Sequence, residues 1–285
     1  MSNNVLLSNG TLLNDIKEFI RVRCDSRDVD RFPGPQPISI EKKHMPLLYK
    51  NSYLVCEKTD GVRHFLVCFT DSQNRKICAL VNRSFEFVLF PLTVPRDTIL
   101  DGELLGSKFI VHDAMWIQGE DVRQMKLTER LGRVKNLVKA ILPIQQLRVT
   151  CKNMIPYADM KNLVLGKHND GVIFTPVDEP VRMGTHRTLF KWKPLEKNTI
   201  DFLFKNGHYY IQCEGKLVNV RNCRALTTEQ EDGIYECAYN RNTWEPLKKR
   251  TDKSHPNNKR TYERTMINIH ENIQFCELVQ ATTTT

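Results

Sequence analysis

From Tyr53 to Trp116 the chain is a succession of short runs: YLVCEK, VRHFLVCF, KICALVN, FEFVLF, TILDGELL and KFIVHDAMW. Each is rich in β-branched and aromatic residues and closed by turn residues. Such runs are too short for helices, and their spacing predicts successive strands. The period then changes. In KLTERLGRVKNLVKAIL, Leu127, Leu131, Val134, Val138 and Ile141 recur three or four apart, the spacing of one helical face, and Pro143 is expected to stop the helix. Strands resume with QQLRVTC, DGVIFTP and TLFKWK. A polar stretch, KPLEKN (193–198), then marks a boundary, so one domain is expected over 1–196 and another over 197–285. In the second, TIDFLF, HYYIQC, KLVNV and GIYECAY read as short strands of a small β-barrel, followed by a basic stretch and a helix over Tyr262–Leu278. The terminal ATTTT reads as a loose end. The fold class is α+β.

Composition narrows the functional classes. With 285 residues, 40% hydrophobic and 26% charged, the chain has the profile of an ordinary globular protein. No apolar run approaches the ~18 residues of a membrane span. The N-terminus has neither the basic start nor the apolar stretch of a secretory signal. An intracellular protein without a membrane partner is expected. Nine scattered cysteines form no CxxC pair, so free thiols of a reducing compartment are expected and zinc is not. The net charge of +9 favours a polyanionic partner. Part of it is local: residues 241–264 hold eight basic side chains against three acidic ones.

Lys58-Thr59-Asp60-Gly61-Val62-Arg63 places a lysine at the end of an apolar strand, before an Asp-Gly turn, with an arginine beyond. A lysine becomes a nucleophile only when it loses its proton, which neighbouring cations or desolvation promote. Asp101-Gly102-Glu103, Asp170-Gly171-Val172-Ile173-Phe174 and Lys191-Trp192-Lys193 are individually weak signals. In the last, alternation along a strand would project both ammonium groups to one face, suited to a row of phosphate oxygens.

Taken together and in this order, these segments resemble the covalent nucleotidyltransferase superfamily of mRNA capping guanylyltransferases and polynucleotide ligases. The superfamily runs KxDGxR, a DGE-type turn, an aromatic-Asp strand, DGhhh (h apolar) and KxK; the third element is here His112-Asp113. Two more segments resemble capping enzymes in particular: Arg31-Phe32-Pro33-Gly34-Pro35-Gln36-Pro37-Ile38-Ser39, and the stretch from Trp244 to Asn257 containing Arg250-Thr251-Asp252-Lys253. The KWKP…NTIDF stretch (191–202) is similar to their interdomain hinge. The resemblance covers roughly residues 30–260. It implies a nucleotidyltransferase domain (ATP-grasp-like, DNA-ligase-like) with antiparallel sheets and helices, followed by a C-terminal OB-fold β-barrel.

The resemblance implies that Lys58 attacks the α-phosphorus of GTP, releasing pyrophosphate and keeping GMP in a phosphoramide bond. The 5′-diphosphate end of an RNA then takes the GMP, giving GpppN-RNA. It further implies that Arg63 and Glu103 face the ribose and Asp170 the metal, with Glu103 as a second metal carboxylate. Lys191 and Lys193 go to the α-phosphate, while Arg250, Asp252 and Lys253 come over the β- and γ-phosphates. Thr59 and His112 complete the GTP-binding set, and Mg²⁺ or Mn²⁺ offsets triphosphate charge. His112 departs from the family's usual Phe or Tyr, and an imidazole stacks more weakly on guanine. Lys248 stands where many capping enzymes carry a further Arg. With no HCxxGxxR phosphatase loop and no glycine-rich methyl-donor site, a separate RNA 5′-triphosphatase and cap methyltransferase are expected, as is an RNA polymerase partner. The compactness is similar to stand-alone enzymes of large DNA viruses or unicellular eukaryotes, placing the protein in the nucleus or in a cytoplasmic viral factory. Two rivals share part of the pattern. An ATP-dependent RNA or DNA ligase would not need the FPGPQP and RTDKSHPN segments, and a non-catalytic OB-fold RNA-binding protein would not need Lys58 or the KxK pair.

Overall fold

The computed structural model describes residues 10–91, 97–141, 147–166, 169–223 and 231–280. The chain divides into two units, Met1–Ile38 with Leu47–Lys191, and Ser39–Pro46 with Trp192–Thr285. The sequence reading drew a single division between 196 and 197. Residues 39–46 group with the second unit because Asn268 donates to the Ile40 carbonyl and the Lys42 N–H to Glu271.

In chain order, the elements to the end of the first unit are α1 (Gly10–Arg23), β1 (Gln36–Ser39), α2 (Met45–Lys50), β2 (Tyr53–Thr59), β3 (Val62–Thr70), β4 (Lys76–Asn82) and β5 (Phe87–Leu89). They continue with β6 (Thr98–Leu105), β7 (Lys108–Ile117), β8 (Glu120–Asp121), α3 (Leu127–Ala140), β9 (Arg148–Cys151), β10 (Ile155–Pro156), β11 (Asn169–Pro176) and β12 (Thr185–Trp192). One sheet has the order β1-β12-β11-β2-β10; the larger runs β5-β4-β3-β6-β7-β8, with β9 added parallel to β7. All six runs expected between 53 and 116 contribute strands, and α3 forms on the predicted apolar face. The expected stop at Pro143, the start of the following strand at Gln145 and the terminal ATTTT lie outside the described residues.

Five consecutive residues of β3, Phe65 to Phe69, are buried, because helices cover both faces of this sheet. Phe65, Val67 and Phe69 pack in one core with Leu12, Ile16 and Ile20 of α1. Leu66 and Cys68 face the other core, with Val134 and Leu137 of α3. Within that second layer α3 also buries an arginine. Arg130 donates to both oxygens of Asp113, at 2.7 and 3.0 Å, and to the Met125 carbonyl.

The second unit holds β13 (Thr199–Lys205), β14 (His208–Cys213), β15 (Lys216–Val220), β16 (Gly233–Asn240), β17 (Thr243–Lys249), α4 (Lys259–Glu271) and α5 (Phe275–Gln280). Its antiparallel sheet has the order β15-β14-β13-β16-β17. A parallel bridge between Cys223, just past β15, and Trp244 of β17 joins the two outer strands, as in an OB-fold. Phe202, Tyr209 and Trp244 fill the interior, and Ile269 of α4 closes it. The single helix expected over 262–278 is two helices. Asn272 adopts a left-handed conformation (φ 40°) and its N–H returns to the Asn268 carbonyl, ending α4. The nine cysteines carry no disulfide.

The buried pair in the first unit gives a stability test. Arg130→Met leaves the Asp113 carboxylate buried without its partner, and urea unfolding is expected to show a loss of about 3–5 kcal/mol; a loss below about 1 kcal/mol would mean the site relaxes or hydrates.

Candidate functional site

The loop after β2 is short because Asp60-Gly61 turns the chain directly into β3, leaving Lys58 near the end of its strand. Opposite it, β11 pairs with β2 so that Asn169 faces Thr59 and Val172 faces Glu57. Asp170 and Gly171 therefore form a bulge, the device by which a strand re-aims a side chain. Gly171 has φ 134°, which a residue with a Cβ rarely adopts. The result is an ion pair with Lys58 Nζ 2.9 Å from Asp170 Oδ2.

Arg63 sits on β3 and is almost fully buried. Its Nε donates to Asp101 Oδ1 at 2.8 Å, its Nη2 to Asp101 Oδ2, and its Nη1 to the Pro35 carbonyl at 2.5 Å. The Phe32 ring lies 5.9 Å from the guanidinium carbon and packs, tilted by 34°, against Phe65 with centroids 4.2 Å apart. A Cβ at Gly34 would stand 2.7 Å from Arg63 Nη2. The FPGP segment is thus a sheath for this arginine, and its glycine is required by close approach. Arg63, which the sequence reading assigned to the ribose, here has its donors directed to protein acceptors. Burial would raise the pKa of Asp101, but Arg63 and His112 hold it well below the usual carboxylate range. A depressed carboxylate stabilises the fold above the unfolded value near ~3.9 and loses that contribution as pH falls toward the folded value. The stability gap between wild type and Asp101→Asn is therefore expected to be largest at neutral pH and to narrow below about pH 4; a gap constant from pH 7 to 2.5, measured by denaturant unfolding, would contradict it.

Glu103 on β6 pairs in register with Arg63 on β3 and Ile110 on β7. Burial raises its pKa, and His112, Lys58 and Lys152 oppose the rise, so three cationic or imidazole groups converge on this carboxyl. His112 Nε2 lies 3.4 Å from Asp101 Oδ1. Lys152, just past β9, is 7% exposed and donates to Thr59 Oγ1 at 2.5 Å and Glu57 Oε1 at 3.2 Å. The sequence reading missed Lys152. No local pattern marks it; it reaches the site only because β9 joins β7 across α3.

Lys191 lies on β12 in the first unit. The strand ends at Trp192, one residue short of Lys193, so the same-face geometry expected for both lysines is carried by strand only as far as Lys191. Trp192 is buried in the second unit, its indole N–H donating to the Ile273 carbonyl at 2.8 Å. In that unit Arg250 donates bidentately to Asp252, both bonds 2.8 Å, and to Asp201 at 3.0 Å. Donating to Asp252 raises the pKa of Arg250, and Arg250 holds Asp252 well below the carboxylate range. Lys253 is exposed. Among the described residues no group of three or more His, Cys, Asp and Glu could by itself hold a metal. Asp170 and Glu103 supply at most two carboxylates, a set that suits Mg²⁺ bound chiefly through substrate phosphates rather than a closed protein cage.

Two family models match the chain: the mRNA capping enzyme catalytic domain over residues 6–195, and the mRNA capping enzyme C-terminal domain over 204–279. The mRNA-capping enzyme subunit alpha of Schizosaccharomyces pombe is 32% identical over 216 residues, 62% of this chain and 54% of the relative. That of Yarrowia lipolytica is 26% identical over 321 residues, covering 88% and 82%. The mRNA-capping enzyme of Danio rerio is 26% identical over 277 residues, covering 81% and 46%. The chain thus spans about half the length of several curated relatives it matches. The ATP-dependent DNA ligase of bacteriophage T7 overlaps 79% of this chain and 97% of its own at 13% identity and a TM-score of 0.42, too loose a likeness to bear on function. With two thirds of its length matched by the catalytic-domain model and most of the remainder by the C-terminal one, the chain belongs to the mRNA capping enzyme family.

Proposed function

We propose that the chain is an mRNA guanylyltransferase, a nucleotidyltransferase that moves GMP from GTP through Lys58 to the 5′-diphosphate end of an RNA. The observation that carries this reading is the Lys58–Asp170 pair at 2.9 Å, on a strand bulge, in a chain of the capping enzyme family. Asp170 fixes where the lysine amine stands, and a carboxylate at hydrogen-bond distance is a suitable acceptor for the proton it must lose. In the first step a bond forms between Lys58 Nζ and the α-phosphorus while the bond to the bridging oxygen breaks, and pyrophosphate leaves with that electron pair. In the second, a terminal oxygen of the RNA diphosphate attacks the same phosphorus, the P–N bond breaks, and the lysine departs as an amine that regains its proton.

Both displacements depend on positioning and charge neutralisation more than on acid–base chemistry. Thr59, Arg63, Glu103 and His112 are assigned to the nucleoside, Arg63 acting through Asp101. Lys191 and Lys193 are assigned to the α-phosphate, and Arg250, Asp252 and Lys253 to the β- and γ-phosphates. A divalent cation, Mg²⁺ or Mn²⁺, would lie near Asp170 and Glu103 and would offset triphosphate charge when bound. The nucleotidyltransferase domain is taken as 1–196 and the OB-fold domain as 197–285. The fungal relatives are named alpha subunits, which fits a further subunit in those proteins. A separate RNA 5′-triphosphatase, a separate cap methyltransferase, an RNA polymerase partner and action in the nucleus or a viral factory belong to the same proposal.

Label transfer tests the reading. With α-labelled GTP and Mg²⁺ or Mn²⁺, label is expected on the denatured protein, absent in Lys58→Ala and discharged by pyrophosphate. Label from ATP instead would make the chain a ligase, and no adduct with either nucleotide would favour a binding protein. The assignment of Arg250 and Lys253 to phosphates that depart with pyrophosphate separates the two steps. Arg250→Ala and Lys253→Ala are expected to slow GMP loading at least tenfold, about 1.4 kcal/mol or more, while transfer from a preformed adduct changes little; equal loss in both steps would contradict that assignment.

A further inference from the structure

We propose that the sheet face carrying Glu103 and His112 continues outward as a track for the acceptor RNA, whose backbone phosphates are held by Lys108 and Arg148. The inference rests on the guanylyltransferase reading and names the surface that reading leaves unspecified. It follows from the register of β7 and β9, in which Lys108 pairs with Arg148 and Ile110 with Thr150. Alternate residues of a strand share a face. Phe109, Val111, Val149 and Cys151 turn into the core beneath α3. Lys108, Ile110 and His112 therefore lie on the opposite face together with Arg148 and Thr150. Lys152 follows the same alternation and reaches Thr59 and Glu57. On the neighbouring strand Glu103 pairs with Ile110 and Leu105 with Lys108, so this face is continuous with the candidate site.

Four residues separate His112 from Lys108, about 13 Å along the strand at ~3.3 Å per residue. At that outer end two exposed cations stand directly opposite each other, an arrangement that is unfavourable unless an anion offsets it. Neither has a carboxylate partner among the described residues, whereas Arg21, Arg75, Arg123 and Arg133 each do. Between this pair and Lys152, the Thr150 hydroxyl is a buried side-chain polar atom with no partner among the described residues. The acidic groups on the path are Asp101, Glu103 and Glu57, all at the nucleotide end, with Asp101 paired with Arg63 and Glu57 with Lys152. Potential therefore rises outward from the site, the direction a chain of phosphates would follow after presenting its 5′ end to Lys58. A single-stranded polyanion meets these terms, with affinity that depends on salt and not on base sequence.

Binding to a labelled 5′-diphosphate RNA single strand of about twenty nucleotides, followed by fluorescence anisotropy across a salt series, tests the track without requiring turnover. The double reversal Lys108→Glu/Arg148→Glu is expected to weaken binding at least about tenfold and to flatten the salt slope by roughly 1.4, two phosphate contacts at ~0.7 each. The milder Lys108→Ala/Arg148→Ala removes the same two contacts, so it should flatten the slope by a similar amount with a smaller loss of affinity. Lys135→Glu/Lys139→Glu changes charge equally on exposed positions of α3, beneath the opposite face, and should move neither. GMP loading should match wild type in all three. Unchanged affinity and slope in the first pair, an equal loss in the α3 pair, or a wild type that does not hold the strand would overturn the proposal. Wild-type protein that shows the expected RNA pattern but takes no label from GTP would refute the guanylyltransferase reading and leave the track standing.

Discussion

The buried clamp between Arg63 and Asp101 ties β3, β6, β7 and the FPGP segment together at the candidate site of the first unit. An arginine taken out of water is tolerated only when its donors are matched, and here a carboxylate on β6 and a carbonyl from the FPGP segment supply the match. The consequence is geometric. With Asp101 held, its second neighbour along β6, Glu103, is held as well, and so is the His112 ring that leans on Asp101 from β7. Arg63 thus orders the Glu103–His112 end of the candidate site from beneath, and the segment from Phe32 to Pro35 wraps it.

Charge is treated alike in the two units, each taken by itself. Lys58 is paired with Asp170, and Arg250 is held by Asp252 and Asp201. A cation already in a charge-assisted hydrogen bond has a defined position and a reduced entropy cost when phosphate oxygens arrive. Any ligand of these cations must in turn compete with a carboxylate, which on the proposed function favours strong acceptors such as di- and triphosphates over neutral ligands. Lys108 and Arg148 follow the opposite rule. They are displayed without carboxylates, as suits a ligand bound by diffuse charge rather than by fixed geometry.

Much of this was readable from the sequence where the signal was local. The strand runs, the α3 face and the lysine before an Asp-Gly turn each depend on residues close in the chain. The motif order from Lys58 to Lys193 supplied what spacing alone could not. Two misses share a cause in long-range contact: Lys152 and the Arg130–Asp113 pair have no local signature. The miss of α1 has another cause, since Leu12, Ile16 and Ile20 at helical spacing are a local signal in a segment from which no element is expected above. The helix drawn over 262–278 failed at Asn272, whose left-handed turn is permitted by its side chain but not demanded by it. The Lys191-Trp192-Lys193 triplet was read as pure strand, whereas the burial of Trp192 in the second unit ends that strand between the two lysines.

The parallel addition of β9 to β7 also bears on the order in which the molecule is built. Antiparallel neighbours such as β3 and β4 are joined by a turn and can pair as soon as both are made. The β7–β9 ladder must wait for the intervening chain, α3 included, to form and dock, a closure whose entropic cost precedes its reward. Lys152 rides on that late strand. Lys58 waits as well, since β2 takes its ladder partners from β10 and β11, later still in the chain, so a partly folded chain lacks both the Lys58–Asp170 pair and the Lys152 network. Completion of the candidate site is in this way a report that these long-range ladders have closed.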